Sequence, residues 1–455
     1  MLCLHDSIRH DDPAVQRLLR AVEDAHSLTD LILAAWQVAR VLTVHLVEAV
    51  LAERACRPLA WPPCPRCGVS LRSKGFATRQ VTSLFGPLQW RRRVGRCPQG
   101  CAIPQVAPLD EALGVQPYQR TSEELQSLGC ALAVFVPFAT AAQFLGWYSG
   151  GTVSPRAVWC WVQAAGHRAM EHLQEHLEAV ARGDLPPPEP LAAEQAALPL
   201  ALGADGVMVP FRPEGGKPRG KIRWREIKVG VLARLGQHRT RLGQVVTRLQ
   251  HRRLVAVLGD IEALTPRLWG EAVRQGLLTA PHVVWLSDGG RGLWRLFEER
   301  FARHATGILD FYHAAQNLWK GAAAWLDGRT TQARTWFVWA RHRLRHGMPD
   351  GVLADLADAL DVEGLPTTAR DTLRIVYAYL ERHREHINYA QYKDLGLPLG
   401  SGMGESACKW LIQQRFKGVG MRWSEDGFNH LLHLRLAWVN GRFEALFGLA
   451  LSPNS

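Results

Sequence analysis

The segment HVVWLSDGGRGLW, residues 282–294, places four consecutive apolar residues, Val283 to Leu286, ahead of Ser287, Asp288 and two glycines. An apolar run of this length bounded by a turn signal reads as a buried strand, and Gly289 and Gly290 read as the turn that ends it. Open α/β sheets gather ligands outside the carboxyl ends of their strands, which is where Asp288 stands. Working outward, LALGADGVMVPF carries Asp205 in a second apolar run, and the basic hairpin KPRGKIRWREIKVGVLARL and the strand-like RRLVAVLG follow it. Beyond Asp288, ATGILDFYHAAQNLW is a further strand leading into a helix. Three antiparallel strands followed by strand–helix units predict an α/β domain with a mixed sheet, with Asp205 and Asp288 on neighbouring central strands.

Two adjacent carboxylates repel each other unless a cation lies between them. A hard divalent ion such as Mg²⁺ accepts oxygen ligands and keeps positions open for phosphate oxygens. A third acid would complete a two-ion site for displacement at phosphorus. The candidate is Glu405 in GLPLGSGMGESACKWLIQQRFKGVGMRW, where Ser401 and glycines lead into a helix carrying Lys409, Arg415 and Lys417, basic residues suited to phosphate. A glutamate at a helix start is also the ordinary choice for a capping residue, so position alone leaves both readings open.

With 455 residues and 47% hydrophobic content, the chain is large enough for two or three domains with proper cores. Its net charge of +12 favours a polyanionic partner. The start, MLCLHDSIRHDD, shows neither a basic region nor a long apolar one, so the expectation is no signal peptide and a cytoplasmic, nucleoid-associated protein. Nine cysteines in such a setting point to thiols or metal ligands before disulfides. Cys64 and Cys67 in CPRC, with Cys97 and Cys101 in CPQGC, flank a β-rich stretch and suit a structural tetrahedral Zn²⁺ in a zinc ribbon. Unpaired structural thiols are the competing reading. Next to the second pair, Arg91, Arg92 and Arg93 are candidates for phosphate binding, or else a solvated strand face.

Residues 128–148, LGCALAVFVPFATAAQFLGWY, are uncharged and long enough to span a bilayer. Pro137 at the centre, and the Gly-Gly turn before SPRAVWCWVQ, favour two helices packed as a helix-turn-helix, with Ser154 capping the second and Pro155 in its first turn. An ordinary helical hairpin fits equally well. GDLPPPEPLAAEQAALP, residues 183–199, reads as a linker.

Together GADG, WLSDGGRGLW, ILDFYHAAQNLW and LPLGSGMGESACKWLIQQRFKGVGMRW resemble the DDE transposases of bacterial insertion sequences in the Kra group, part of the mutator-like superfamily with a ribonuclease H-like core. The resemblance covers about residues 200–440. It implies that Asp205, Asp288 and Glu405 are catalytic carboxylates binding Mg²⁺ or Mn²⁺, and that Asp310 and His313 support them as the family's Cys-or-Asp, two residues, His motif. It also implies a helical insertion within the 116 residues between Asp288 and Glu405.

The resulting expectation is a multidomain α/β protein. An N-terminal helical region (1–55) is followed by the zinc ribbon (56–115), a helix-turn-helix DNA-binding region (116–182) and the linker (183–199). A ribonuclease H-like core then falls in two parts, 200–320 and 396–455, interrupted by the helical insertion at 321–395. The implied function is a transposase acting on double-stranded DNA, both the terminal inverted repeats and the target, as a homodimer or larger assembly and without a membrane. Two alternatives stay open: a structure-specific nuclease with the same core, and a domesticated, non-catalytic DNA-binding regulator.

Overall fold

The structure, a computed structural model, describes residues 13–57, 60–213 and 220–448. The segment MLCLHDSIRHDD and the start of the basic hairpin at Lys217 lie outside the described residues. The chain divides into two compact units, one comprising residues up to Ala165 together with residues from Phe447 onward, the other Gly166–Leu446.

The first unit begins with helices α1 (Pro13–Glu23) and α2 (Leu28–Cys56), the latter capped by Ser27, whose hydroxyl accepts the Asp30 N–H at 3.1 Å. The end of α2 buries Leu51 and Ala55 against Val81, Trp90 and Leu109. Its start leaves Leu28, Ile32 and Leu33 more than half exposed. By length and composition α2 alone among the described helices is apolar enough to cross a bilayer. Strands β1 (Arg72–Ser83) and β2 (Gly86–Arg96) pair antiparallel around a two-residue turn that Gly86 closes at a φ of 132°, a conformation few side chains tolerate.

The uncharged stretch 128–148 is not one helix. It is split between α3 (Glu123–Phe135) and α4 (Phe138–Ser149), with Val136 and Pro137 at the break. Gly150, left-handed at φ 62°, ends α4, and Ser154 accepts the Ala157 N–H at 3.1 Å to start α5 (Pro155–Ala181), the capping that its sequence predicts. At 27 residues, α5 is much longer than the second helix of a minimal helix-turn-helix, and the division between the units falls inside it.

The second unit is built on one five-stranded sheet, ordered β5-β4-β3-β6-β7. Its strands are β3 (Leu200–Phe211), β4 (Arg223–Arg239), β5 (Val245–Leu258), β6 (Val283–Ser287) and β7 (Thr306–Leu309). The β3–β4 and β4–β5 pairs are antiparallel, while β3–β6 and β6–β7 are parallel. Every residue of β6 is buried, as expected for a central strand covered on both faces. Helix α6 (Ile261–Arg274) packs on β4 and β5, and α7 (Arg291–Leu296) follows β6.

After β7 come α8 (Phe311–Leu326), α9 (Thr331–Arg345), α10 (Pro349–Leu360) and α11 (Thr367–Arg382), packed on one another. Then α12 (Gly402–Ala407) packs on β3 and β4, and α13 (Glu425–Val439) lies against β5. The proline-rich stretch 183–199 is not a loose tether. Glu189 forms ion pairs with Arg253 and Arg442 and accepts a hydrogen bond from Gln275, which fastens the stretch to the sheet.

Candidate active site

The parallel register Leu200↔Val283 through Gly203↔Leu286 runs on, two residues later, to Asp205 beside Asp288. Asp205 accepts the Gly206 N–H at 2.7 Å. Burial pushes its pKa up, the Gly206 N–H works against that, and the charge of Asp288 raises it further. Bringing a cation to this pair would reverse the last effect. Asp288 is fixed at both ends: its carboxylate accepts the Gly290 N–H at 3.0 Å, and its carbonyl accepts Trp294 Nε1 at 2.6 Å.

Gly404 brings the third segment in. A Cβ at Gly404 would lie 3.3 Å from the Asp205 Cβ, so the start of α12 rests directly on Asp205. One turn further on, the Cys408 thiol hydrogen-bonds to Asp205, and burial together with the Asp205 charge pushes that thiol's pKa well up. Glu405 is exposed and forms an ion pair with Lys409 at 2.8 Å, which holds its carboxyl below the usual range. His313 Nδ1 lies 3.4 Å from Asp310 Oδ1.

Asp310 is almost wholly buried. Its Oδ1 accepts the N–H groups of Tyr312 and His313 at 2.6 and 2.9 Å, capping α8, and its Oδ2 accepts the Ser401 N–H and hydroxyl at 2.5 and 2.6 Å. Burial raises its pKa, but the Ser401 and His313 donors outweigh that and leave it low. A carboxylate with four donors has little capacity left for a metal ion. Asp310 instead pins the Gly400–Ser401 lead-in of α12 to the end of β7, beside the two aspartates.

Two features were invisible in the sequence. Tyr379, on α11, lies so close to the turn after Asp288 that a Cβ on Gly289 would fall 1.9 Å from its ring. Burial, then the charges of Asp288 and Asp310, push its phenol well up. The chain after Ala407 widens into a π-helical segment, Cys408–Gln413. The buried Arg435 donates to the carbonyls of Leu411 and Trp410 at 2.9 and 2.6 Å, satisfying backbone that the wider turn sets free.

In the first unit the sulfurs of Cys64, Cys67, Cys97 and Cys101 lie within 4.8 Å of one another, with Cys67 and Cys97 3.5 Å apart. Tetrahedral zinc–thiolate geometry, with bonds of ~2.3 Å, sets sulfurs ~3.8 Å apart, so the cluster fits a closed Zn²⁺ site. Each pair sits on a tight turn with a left-handed glycine, Gly68 at φ 73° and Gly100 at φ 74°, and the Gly100 N–H reaches the Cys97 carbonyl at 3.1 Å. The extra residue in the second pair is accommodated by that turn.

The basic candidates separate. Arg91 and Arg93 flank the Phe76 ring, each 5.4 Å from its centroid, with Arg91 exposed and Arg93 partly so. Arg92 points the other way and is buried, its Nε 3.0 Å from Asp110 and its Nη1 bonded to the carbonyls of Ala77 and Thr78. It is a structural ion pair and not a phosphate contact, which corrects the expectation for the middle of the run. Arg415 is corrected in the same way: it is 2% exposed, lies over Trp423 at 5.5 Å, and has its pKa lowered to about 10 by burial and then by Arg435. Lys417 is exposed over Trp224, while Lys409 is engaged with Glu405.

No family model matches the chain. A curated relative, the "UPF0236 protein in vanSb 3'region" of Streptococcus gallolyticus, is 25% identical over 377 residues, covering 81% of this chain and 74% of that protein. Among solved structures, the Drosophila P element transposase strand transfer complex aligns over 74% of this chain and 83% of that one, at 11% identity and a TM-score of 0.27, a likeness too slight to argue from. The chain is a multidomain α/β protein with a mixed sheet and a four-cysteine cluster, similar over most of its length to that streptococcal protein.

Proposed function

We propose that this protein is a DDE-type DNA transposase with a ribonuclease H-like core, which cleaves the 3′ strand at the ends of a mobile element and joins the freed hydroxyl to target DNA. The observation that carries this reading is the meeting of Asp205, midway along β3, Asp288, just past the end of β6, and the α12 start, beyond the point where the parallel β3–β6 pairing stops, in a sheet ordered β5-β4-β3-β6-β7. The mixed sheet, three antiparallel strands extended by two parallel ones, supports that reading of the core.

Asp205, Asp288 and Glu405 offer oxygen donors that suit Mg²⁺ or Mn²⁺. Ions bound there would supply activation of the attacking oxygen and stabilisation of the leaving one. The protein's own part is positional. Asp310 and Ser401 hold the lead-in to α12, and the Gly290 N–H and Trp294 indole fix Asp288. Glu405, paired here with Lys409, would have to give up that partner to join the two aspartates around an ion. The cysteine cluster, with Zn²⁺ bound, would fold the first unit, whose Arg91 and Arg93 face solvent for duplex phosphates.

The test uses the full chain with duplexes carrying the short inverted repeats that flank its coding region. Asp205→Ala, Asp288→Ala and Glu405→Ala should each abolish Mg²⁺-dependent cleavage and joining while leaving binding to the ends intact, and Glu425→Ala and Asp426→Ala should cut normally. Normal cutting by all three alanine variants refutes the reading. Cleavage without any joined product moves it to a structure-specific nuclease.

A further inference from the structure

Beside the carboxylates, helices α8 and α9 enclose a hollow of about 450 Å³. Its lining is Tyr312, Ala315, Gln316, Trp319, Lys320, Phe337 and Arg341. Tyr312, Gln316 and Trp319 recur at helical spacing, so α8 presents a stripe starting next to Asp310 and His313 and running two turns away from the site. Tyr312 is 60% exposed and edges Gly400, where a Cβ would come within 2.9 Å of its ring. Trp319 meets Phe337 edge to face, 5.3 Å between centroids, and the two rings line the hollow together.

The hollow carries two cations and no acid. Lys320 Nζ donates to the neutral Asn317 Oδ1 at 3.4 Å, and Arg341 leans over the Phe311 ring at 5.6 Å. Helix α9 adds Arg334 and Arg345 and has no acidic residue in its fifteen, while its Arg343 is paired with Asp355 at 3.3 Å. Packing of the helices accounts for Trp319 against Phe337 but not for the exposed Tyr312, Gln316 and Lys320 on the same stripe. A shallow aromatic hollow rimmed by cations, with an amide at its edge, is complementary to a flat heteroaromatic ring attached to a phosphate chain.

Building on the transposase reading, we infer that this hollow receives an unpaired nucleotide of the DNA end. The base stacks on Trp319, Gln316 meets its polar edge, and Lys320 and Arg341 face the flanking phosphates. A strand held there enters the site past Tyr312, which would fix how far the end opens before its phosphate meets Asp205 and Asp288. Stacking on an aromatic wall is tolerant of base identity, so the preference is for an unpaired base over a paired one and not for a sequence.

The experiment compares binding of the full chain to a blunt duplex and to the same duplex with a short single-stranded 3′ overhang carrying 2-aminopurine, in Ca²⁺ or EDTA so that nothing is cut. Wild type should favour the overhang and shift the probe's fluorescence. Trp319→Ala should weaken overhang binding roughly tenfold or more while changing blunt-duplex affinity less than about twofold. Trp319→Phe should keep most of the preference, and the exposed Gln316→Ala, which does not threaten the fold, should reduce it.

Equal affinity of wild type for the two duplexes, or an unchanged preference in Trp319→Ala, overturns the inference. Because binding is read without cleavage, a protein that prefers overhangs yet never cuts refutes the transposase reading alone. One that cuts without any preference refutes the hollow alone.

Discussion

Gly289 gives the sharpest handle on how the helices after β7 support the candidate site. A Cβ there would stand 1.9 Å from the nearest ring carbon of Tyr379, 2.6 Å from its Cζ and 2.7 Å from its hydroxyl. Restoring ordinary carbon–carbon contact requires ring and turn to part by roughly 1.5 Å, more than a packed interior gives without repacking. Gly289 has no left-handed backbone angle, so the obstacle is steric and comes from Tyr379. Gly289→Ala should therefore cost ~1–3 kcal/mol as overpacking. Tyr379→Ala should cost roughly 2–5 kcal/mol through the cavity it leaves.

The double variant separates this account from a general intolerance of the turn. With the ring gone, the extra methyl enters the vacated space, and Gly289→Ala should cost under about 0.5 kcal/mol in the Tyr379→Ala background. Urea midpoints at constant m-value measure all four proteins. Strand cleavage should fall in Gly289→Ala because the turn carries Asp288. If Gly289→Ala costs as much without the tyrosine as with it, Tyr379 is not what demands glycine, and the coupling of α11 to the site is wrong.

Other outcomes follow from the same structure. Metal analysis of freshly purified protein should find one Zn²⁺ per chain, and Cys64→Ser or Cys97→Ser should remove it and unfold the segment around residues 60–110. Arg92→Ala should destabilise the first unit by ~3–5 kcal/mol by stranding the buried Asp110, without changing the salt dependence of DNA binding, whereas Arg91→Ala should reduce the salt slope and leave stability unchanged. His383 and His433 are buried neutral, each lowered by burial to about 4. Since the unfolded chain takes up those protons near pH 6.5 and the folded one only near 4, stability should fall as pH drops through that window, by up to about 3 kcal/mol for each histidine. Urea midpoints across pH 7 to 4 check this, and His433→Gln should flatten the loss.

The sheet was legible because its central strands announce themselves. Val283 to Leu286 and the run around Asp205 are apolar without alternation, which only strands covered on both faces require. The cysteine pairs were legible because thiol spacing on tight turns is a local property, and the Ser154 cap was legible for the same reason. Side-chain direction was less accessible. Arg91, Arg92 and Arg93 read as one basic run, yet a strand alternates faces, and that period of two could have separated the buried Arg92 from its neighbours.

Arg415 offered no such signal, because the π-helical segment ahead of it changes the helical phase on which a face could be counted. Helices were expected across residues 1–55, but the apolar length of α2 was not, its aliphatic residues being interspersed with Asp30, Arg40 and Glu48. Tyr379 and Cys408 bear on the aspartates only through tertiary contact, and nothing in their local sequence sets them apart.

The placing of the three acids along the chain has a consequence for synthesis. Asp205 and Asp288 leave the ribosome first, but α12, which lays Gly404 on Asp205 and brings Glu405, follows only after helices α7 to α11. A polypeptide halted between residues 288 and 405 carries two acids and no third. On the proposed function, a broken message or a stalled ribosome would yield a chain that holds DNA without cutting it, and such fragments, expressed beside the full-length protein, should act as inhibitors of excision.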